Sequence, residues 1–179
     1  MKPTLRLYLD ADWRRLTELV GNPGLRRKWH HCLLPRFAPV TLIRLAQFSE
    51  LRGNRSIAKM FSLLNFLIFG IEVPTRLKIG PGLVIPHPQG TVLGAREIGA
   101  NVTIFHQVTL GARIADFNYD LIQRPKVCDG VTLSVGAKIL GPLTLGERAT
   151  IGANAVVLED VPAGATAAGI PAKIISFAS

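Results

Sequence analysis

The sequence predicts a mainly β protein, a parallel β-helix preceded by a small α-helical region. Two patterns define the β-helix and their absence defines the rest. From Val127 to Val157 every sixth residue is a large aliphatic: Val127, Leu133, Ile139, Leu145, Ile151 and Val157. A second apolar series follows each by four, at Val131, Ala137, Leu143, Ala149 and Ala155. The register recurs upstream at Ile98, Ile104 and Leu110, and at Ile79 and Ile85. A helix repeats its apolar residues every three or four positions and a strand every two. A strict six fits a short strand and a turn, stacked so that equivalent side chains line a common axis, three such units making one triangular coil. The first seventy residues lack the six and read as helices.

Composition narrows the function. The 179 residues suffice for one domain and a small second region, and at 48% hydrophobic they can bury a core. The 17 glycines and 12 prolines fall at turns of the repeat and in loops, which excludes disorder. A net charge of +9 fits nucleic acid, an anionic membrane surface or an anionic small ligand. No basic groove interleaved with aromatics is visible, so no nucleic-acid partner is expected. Cys32 and Cys128 form no metal spacing, so no metal is expected, and a reduced cytoplasmic protein is the simple reading. Charges interrupt every short apolar run of the N-terminus, unlike a secretory signal.

In chain order, residues 3–21 predict an amphipathic helix with Leu16 and Val20 on one face, ended by Gly21-Asn22-Pro23-Gly24. His30 and His31 are adjacent, do not share a helical face, and read as solvated or packed residues. Pro35 and Pro39 bracket a connection, and residues 40–52 form a second helix ended by Gly53-Asn54. Residues 55–70 make the most apolar helix, too short to cross a bilayer, which takes about 20 residues. It is either covered by neighbours or a second copy, or laid on an anionic membrane at the inner face through Arg52, Arg55 and Lys59. The helical region thus spans 1–71 and the β-helix 72–175, with a tail at 176–179. Seven positions separate Thr91 from Ile98, so a corner takes one extra residue. The register is lost over 113–126, an excursion that predicts a loop projecting from one corner, where function concentrates.

The stretches KIGPGLVIPHPQGTVLGA, VTLGA, RPKV, GAKILGPLTLG and AAGIPAKI, with LIRLAQFSELRG before them, resemble the hexapeptide-repeat acyltransferases, and among these most closely serine acetyltransferase and its polysaccharide O-acetyltransferase relatives. The similarity covers roughly residues 22–175. It implies a left-handed β-helix, against the usual hand of parallel crossovers, a homotrimer, and acetyl-CoA as donor. It places His87 on the family's catalytic histidine and Glu72 on the carboxylate that pairs with it. A neutral imidazole can take the proton of a hydroxyl attacking a thioester, and a carboxylate on its other nitrogen fixes the tautomer. His106 is either an inward or an interface residue. Small residues at the turns, Gly111, Ala112, Gly136, Ala153 and Gly169, would let the pantetheine arm lie against backbone, or merely fit tight corners. Lys173, with Lys138 or Arg148, would meet the phosphates.

The sequence departs from serine acetyltransferases where they hold the amino acid's charges. Pro86 replaces an aspartate, Gln123 and Arg124 replace an Arg-His pair, and Asn22 replaces an aspartate. A desolvated serine needs charged partners for its ammonium and carboxylate. The expectation is therefore an acetyl-CoA-dependent O-acetyltransferase acting on a sugar hydroxyl in polysaccharide biosynthesis, with the loop's Asp116, Phe117 and Tyr119 walling the acceptor and serine a poor substrate. Serine O-acetylation for cysteine biosynthesis is the alternative, and Asp116 or Asp120 could then hold the ammonium. A non-catalytic β-helix scaffold is the second alternative.

Overall fold

A computed structural model describes residues 4–114, 116 and 118–177. Phe117, expected in the acceptor wall, lies outside the described residues. Helix α1 spans Leu5–Leu19, opened by Thr4, whose side chain accepts from the Leu7 N–H. It buries Leu9, Trp13 and Leu16, while Val20 ends the helix and is exposed rather than sharing their face. A 3-10 turn at Trp29–Leu33 follows, in which His31 stacks on Trp13 and accepts the Lys28 N–H, a packing role. Helix α2 is Ala38–Leu51. Pro39 belongs to its first turn and not to the connection before it, because a first-turn residue has no intrahelical acceptor for the N–H that proline lacks. Helix α3 is Arg55–Phe69 and stops at Gly70, which takes the left-handed conformation at φ +63°.

The packing of α3 inverts its composition. Its buried residues are Ala58 and Asn65, and Asn65 donates to the Pro39 carbonyl while Ser62 donates to the Val73 carbonyl. Met60, Leu63, Phe66, Leu67 and Ile68 face outward, Leu67 at 68% exposure. No described helix is long and apolar enough to cross a membrane.

From Ile71 the chain winds as a left-handed β-helix with three faces. The first face stacks Ile71–Glu72, Thr91–Leu93, Thr109–Gly111, Lys138–Leu140 and Val156–Val157. The second stacks Lys78–Ile79, Glu97–Ile98, Lys126–Val127 and Thr144–Leu145. The third stacks Thr103–Ile104, Thr132–Leu133, Thr150–Ile151 and Ala165–Gly169. All these pairs are parallel, and residues eighteen apart are neighbours: Val127 on Leu145, Leu133 on Ile151, Ile139 on Val157. The six residues of the defining series are each no more than 2% exposed, and Val131, Ala137, Leu143, Ala149 and Ala155 fill the corners inside. The third face then ends differently from the repeat. Ala172–Phe177 folds back antiparallel on Ala165–Gly169, a hairpin that small apolar residues did not announce.

The helical region closes the open base of the β-helix through one buried ion pair. Arg44 of α2 and Asp12 of α1, both 0% exposed, meet in two bonds, Nε to Oδ2 at 2.8 Å and Nη2 to Oδ1 at 2.9 Å. Asp12 also accepts the N–H groups of Gly82 and Leu83, each at 2.8 Å. Arg44 also donates to the carbonyls of Ile79 and Gly80 at 2.8 and 2.6 Å. These are the backbone groups of the first coil with no coil beneath to bond them. Removing one partner of a buried pair strands the other charge, at roughly 3–5 kcal/mol. Arg44→Leu should therefore lower the unfolding free energy by about that amount in urea titration; a loss below about 1 kcal/mol would show that the base does not depend on the pair.

Candidate active site

His87 sits at the corner where the third face turns into the first. That corner is wider than its neighbours. Eight positions separate the inward residues Ile85 and Leu93, whereas six separate Ile104 and Leu110 in the next coil, and Leu93 sits over Leu110. The corner after it is one residue short, five positions from Leu93 to Ile98. The irregularity expected after Thr91 is therefore two residues inserted in the His87 turn and one removed beyond it. The widened turn, Pro86–Gly90, carries His87 out to solvent. Beneath the turn, Gly90 donates to the Gly70 carbonyl, tying it to the end of α3. Above it lies His106, at the same corner one coil on, its ring 5.8 Å from that of His87 and nearly perpendicular at 89°.

Glu72 is exposed on the first face. Among the described residues no hydrogen bond joins it to His87, so within one chain the expected pairing is not made. Its charge is felt instead toward the loop. Burial pushes the Tyr119 phenol up, the Arg124 cation opposes this, and the Glu72 carboxylate adds to the rise.

The loop at 113–126 leaves the opposite edge of the first face, as the lost register predicted. It is organised around Arg124, which is 8% exposed. Its Nη2 meets Asp116 Oδ2 at 2.7 Å, its Nη1 donates to the Gly94 carbonyl at 3.3 Å, and its guanidinium lies 3.7 Å from the Tyr119 ring centre. The Tyr119 hydroxyl donates to the Ala95 carbonyl. Gly94 is required here, because a Cβ would lie 2.7 Å from the Leu110 oxygen and 2.8 Å from Arg124 Nη1. Arg124, which stands at a position where the family holds the amino acid's charges, is thus an internal anchor here, and Asp116 is spent neutralising it. Gln123 is exposed on the same loop. Asn22 lies in the turn after α1, its N–H donating to the Thr17 carbonyl.

The small residues fall into two columns. Gly136 and Ala153 share the corner of His87 and His106, and Gly169 starts the hairpin turn above them. Gly111 and Ala112 stand at the other edge, where the loop departs. Lys138 donates to the Gln107 carbonyl, which brings its ammonium to the His106 corner. Lys173 is exposed on the last strand, paired with Ala168. Arg148 is at the third corner, between the second and third faces, and leaves the candidate site. A cavity of about 680 Å³ opens on the second face among Tyr8, Glu50, Glu97, Lys126 and Cys128, and no expected site residue lines it. The two columns flank the first face, and neither lines the cavity on the second.

No family model matches the chain. A Helicobacter pylori serine acetyltransferase is 40% identical over 170 residues, covering 94% of this chain and 98% of that protein. Soybean serine acetyltransferase complexed with serine superposes with a TM-score of 0.82 at 34% identity, over 97% of this chain and 70% of that one. A serine acetyltransferase in complex with CoA gives 0.82 at 31% identity, over 97% and 71%. These relatives overturn the expectation of a polysaccharide O-acetyltransferase: likeness to serine acetyltransferases runs through nearly the whole chain, while the contrary argument rested on four positions. Four substituted positions weighed less than identity spread along 170 residues.

The loop's anchor has a pH signature. Burial would raise the Asp116 carboxyl, but the Arg124 guanidinium and the N–H groups of Asp120 and Asn118 outweigh it and hold it below the usual carboxylate range. A depressed carboxyl stabilises the fold above its unfolded value, about 3.9, and that contribution is lost as pH falls through the lower folded value. Amide exchange across 113–125, corrected for intrinsic rates, should stay slow from neutral pH to about pH 4 and accelerate below it. In Asp116→Ala it should be fast already at pH 7; a loop as protected in the variant as in the parent would refute the anchor.

Proposed function

The chain belongs to the serine acetyltransferase family, and from that premise we propose that it moves the acetyl group of acetyl-CoA to the hydroxyl of serine, the acylation step of cysteine biosynthesis. The observation that carries the proposal is 40% identity across 98% of a serine acetyltransferase. The turn that projects His87 from the coil fits it. His87 takes the proton of the serine hydroxyl as the oxygen attacks the thioester carbonyl. The C–O bond forms, the C–S bond breaks, and the imidazolium returns the proton to the departing coenzyme thiolate. Glu72, exposed on the adjoining face, is the carboxylate that the family resemblance pairs with this base.

Acetyl-CoA lies in a groove between two chains, with Gly136, Ala153 and Gly169 on one wall and Gly111 and Ala112 on the other. Small side chains there let the pantetheine arm approach backbone, and Lys173 and Lys138 offer cations to its phosphates. A closed homotrimer brings the two unlike edges of neighbouring chains together three times. The outward face of α3 supports an assembly, since Leu63, Leu67 and Ile68 are otherwise left in water.

Steady-state kinetics test the reaction. With serine and acetyl-CoA the protein should reach a kcat/KM of about 10⁴ M⁻¹s⁻¹ or more, and His87→Ala should lower kcat roughly 100- to 10,000-fold. Serine turnover no better than that of unrelated alcohols, or a fully active His87→Ala, would end the proposal.

Light scattering tests the assembly. The parent should have about three times the 19.4 kDa chain mass. Leu63→Asp with Leu67→Asp should give monomers without activity. An active monomer that cosediments with anionic vesicles would instead assign the α3 face, with Arg52, Arg55 and Lys59, to a membrane surface.

A further inference from the structure

A general base must be aimed as well as placed, and the source of that aim in this chain is unassigned. His87 is exposed, and among the described residues it makes no hydrogen bond, to Glu72 or to any other group. The aromatic contact it makes is with His106, edge to face. His106 is in turn the best-fixed residue of the corner. Preceding it, the Phe105 N–H donates to the Leu133 carbonyl of the coil above at 3.0 Å. Its own carbonyl accepts the Gly136 N–H at 2.9 Å, and the Gln107 N–H donates to Gln89, inside the His87 turn, at 3.0 Å. Gln107 takes φ +60° to make this connection. His106 is therefore bonded upward to one coil through its own carbonyl, and its neighbour Gln107 is bonded downward to the turn that carries the base.

We propose that His106 is the positioning residue of this site, holding the His87 ring by edge-to-face contact so that its nitrogen meets the acceptor hydroxyl. The proposal rests on the reading of His87 as the base. It also accounts for the atoms of His106 itself. Nδ1 is closed off from solvent and has no partner among the described residues. An orphaned buried N–H is rarer than an orphaned lone pair, so the proton sits on Nε2 and Nδ1 keeps its lone pair inside. Nδ1 is then enclosed with no role in proton transfer, and the part assigned to the ring is its position against His87. Perpendicular aromatic pairs are favoured over face-to-face ones because the positive edge of one ring meets the negative face of the other.

The test separates ring from hydrogen bond. His106→Leu should lower kcat about tenfold, the scale of one aromatic pair, with both KM values and the melting temperature nearly unchanged. His106→Phe keeps the ring and should recover most of the loss. In the free protein, proton NMR should show the His87 Cε1 proton shifted by the neighbouring ring, a shift lost in His106→Leu and kept in His106→Phe, and long-range nitrogen–proton spectra should place the His106 proton on Nε2. A leucine variant with parental kcat, a phenylalanine variant no better than leucine, or an Nδ1-protonated His106 would overturn the proposal. Because the NMR needs no substrate, failure of the parent to acetylate serine would count against the functional reading alone and leave the ring contact to be judged separately.

Discussion

The Asp12–Arg44 pair is the constraint on which the rest of the structure depends. A β-helix satisfies each coil's backbone with the coils on either side, so its first coil exposes a row of unpaired groups, the same liability as any sheet edge. Here two helices from outside the repeat supply the missing partners. Asp12 accepts the two N–H groups at Gly82 and Leu83, Arg44 donates to the carbonyls at Ile79 and Gly80, and each neutralises the other. With every polar atom engaged, the desolvation of both charges is offset locally. The coil that carries His87 is the one this plug holds, and Gly70 joins the end of α3 to the His87 turn.

Regularity and chemistry occupy different parts of the molecule. The faces are uniform because each inward position must fill the same cross-section, and Ile, Leu and Val do so at eighteen-residue intervals. Departures from the repeat gather along the two edges of the first face. One edge gains two residues and projects His87; the other opens into the Arg124-anchored loop. Neither edge forms an enclosed site alone. The proposed homotrimer would close them against one another, the loop edge of one chain facing the His87 edge of the next.

Much of this was legible in residue order. The period of six located the faces, the inward series and the loop, because a solenoid imposes one steric rule on every coil and the rule is written directly into spacing. The spacing also showed that one corner near Thr91 departs from the repeat, though it placed the extra residue beyond the His87 turn where the structure inserts it. The motif matches reached the right enzyme family, though the acceptor inferred from four substituted positions did not survive comparison with whole-chain relatives.

What only the tertiary structure decided is where partners came from distant sequence. Asp12 and Arg44 are thirty-two residues apart on helices whose other buried residues are uncharged, and no local pattern pairs them. The enclosure of Arg124 by Asp116, Gly94 and Tyr119 joins residues up to thirty positions apart, and no spacing signals it. The most apolar helix turned Asn65 and Ser62 inward, where they bond the carbonyls of Pro39 and Val73. The neighbourhood of His87 and His106, nineteen positions apart, required knowing that the His87 turn is two residues wider than the coil above. Spacing encodes whatever repeats; contacts between unlike segments depend on packing in three dimensions, which the order of residues determines but does not display.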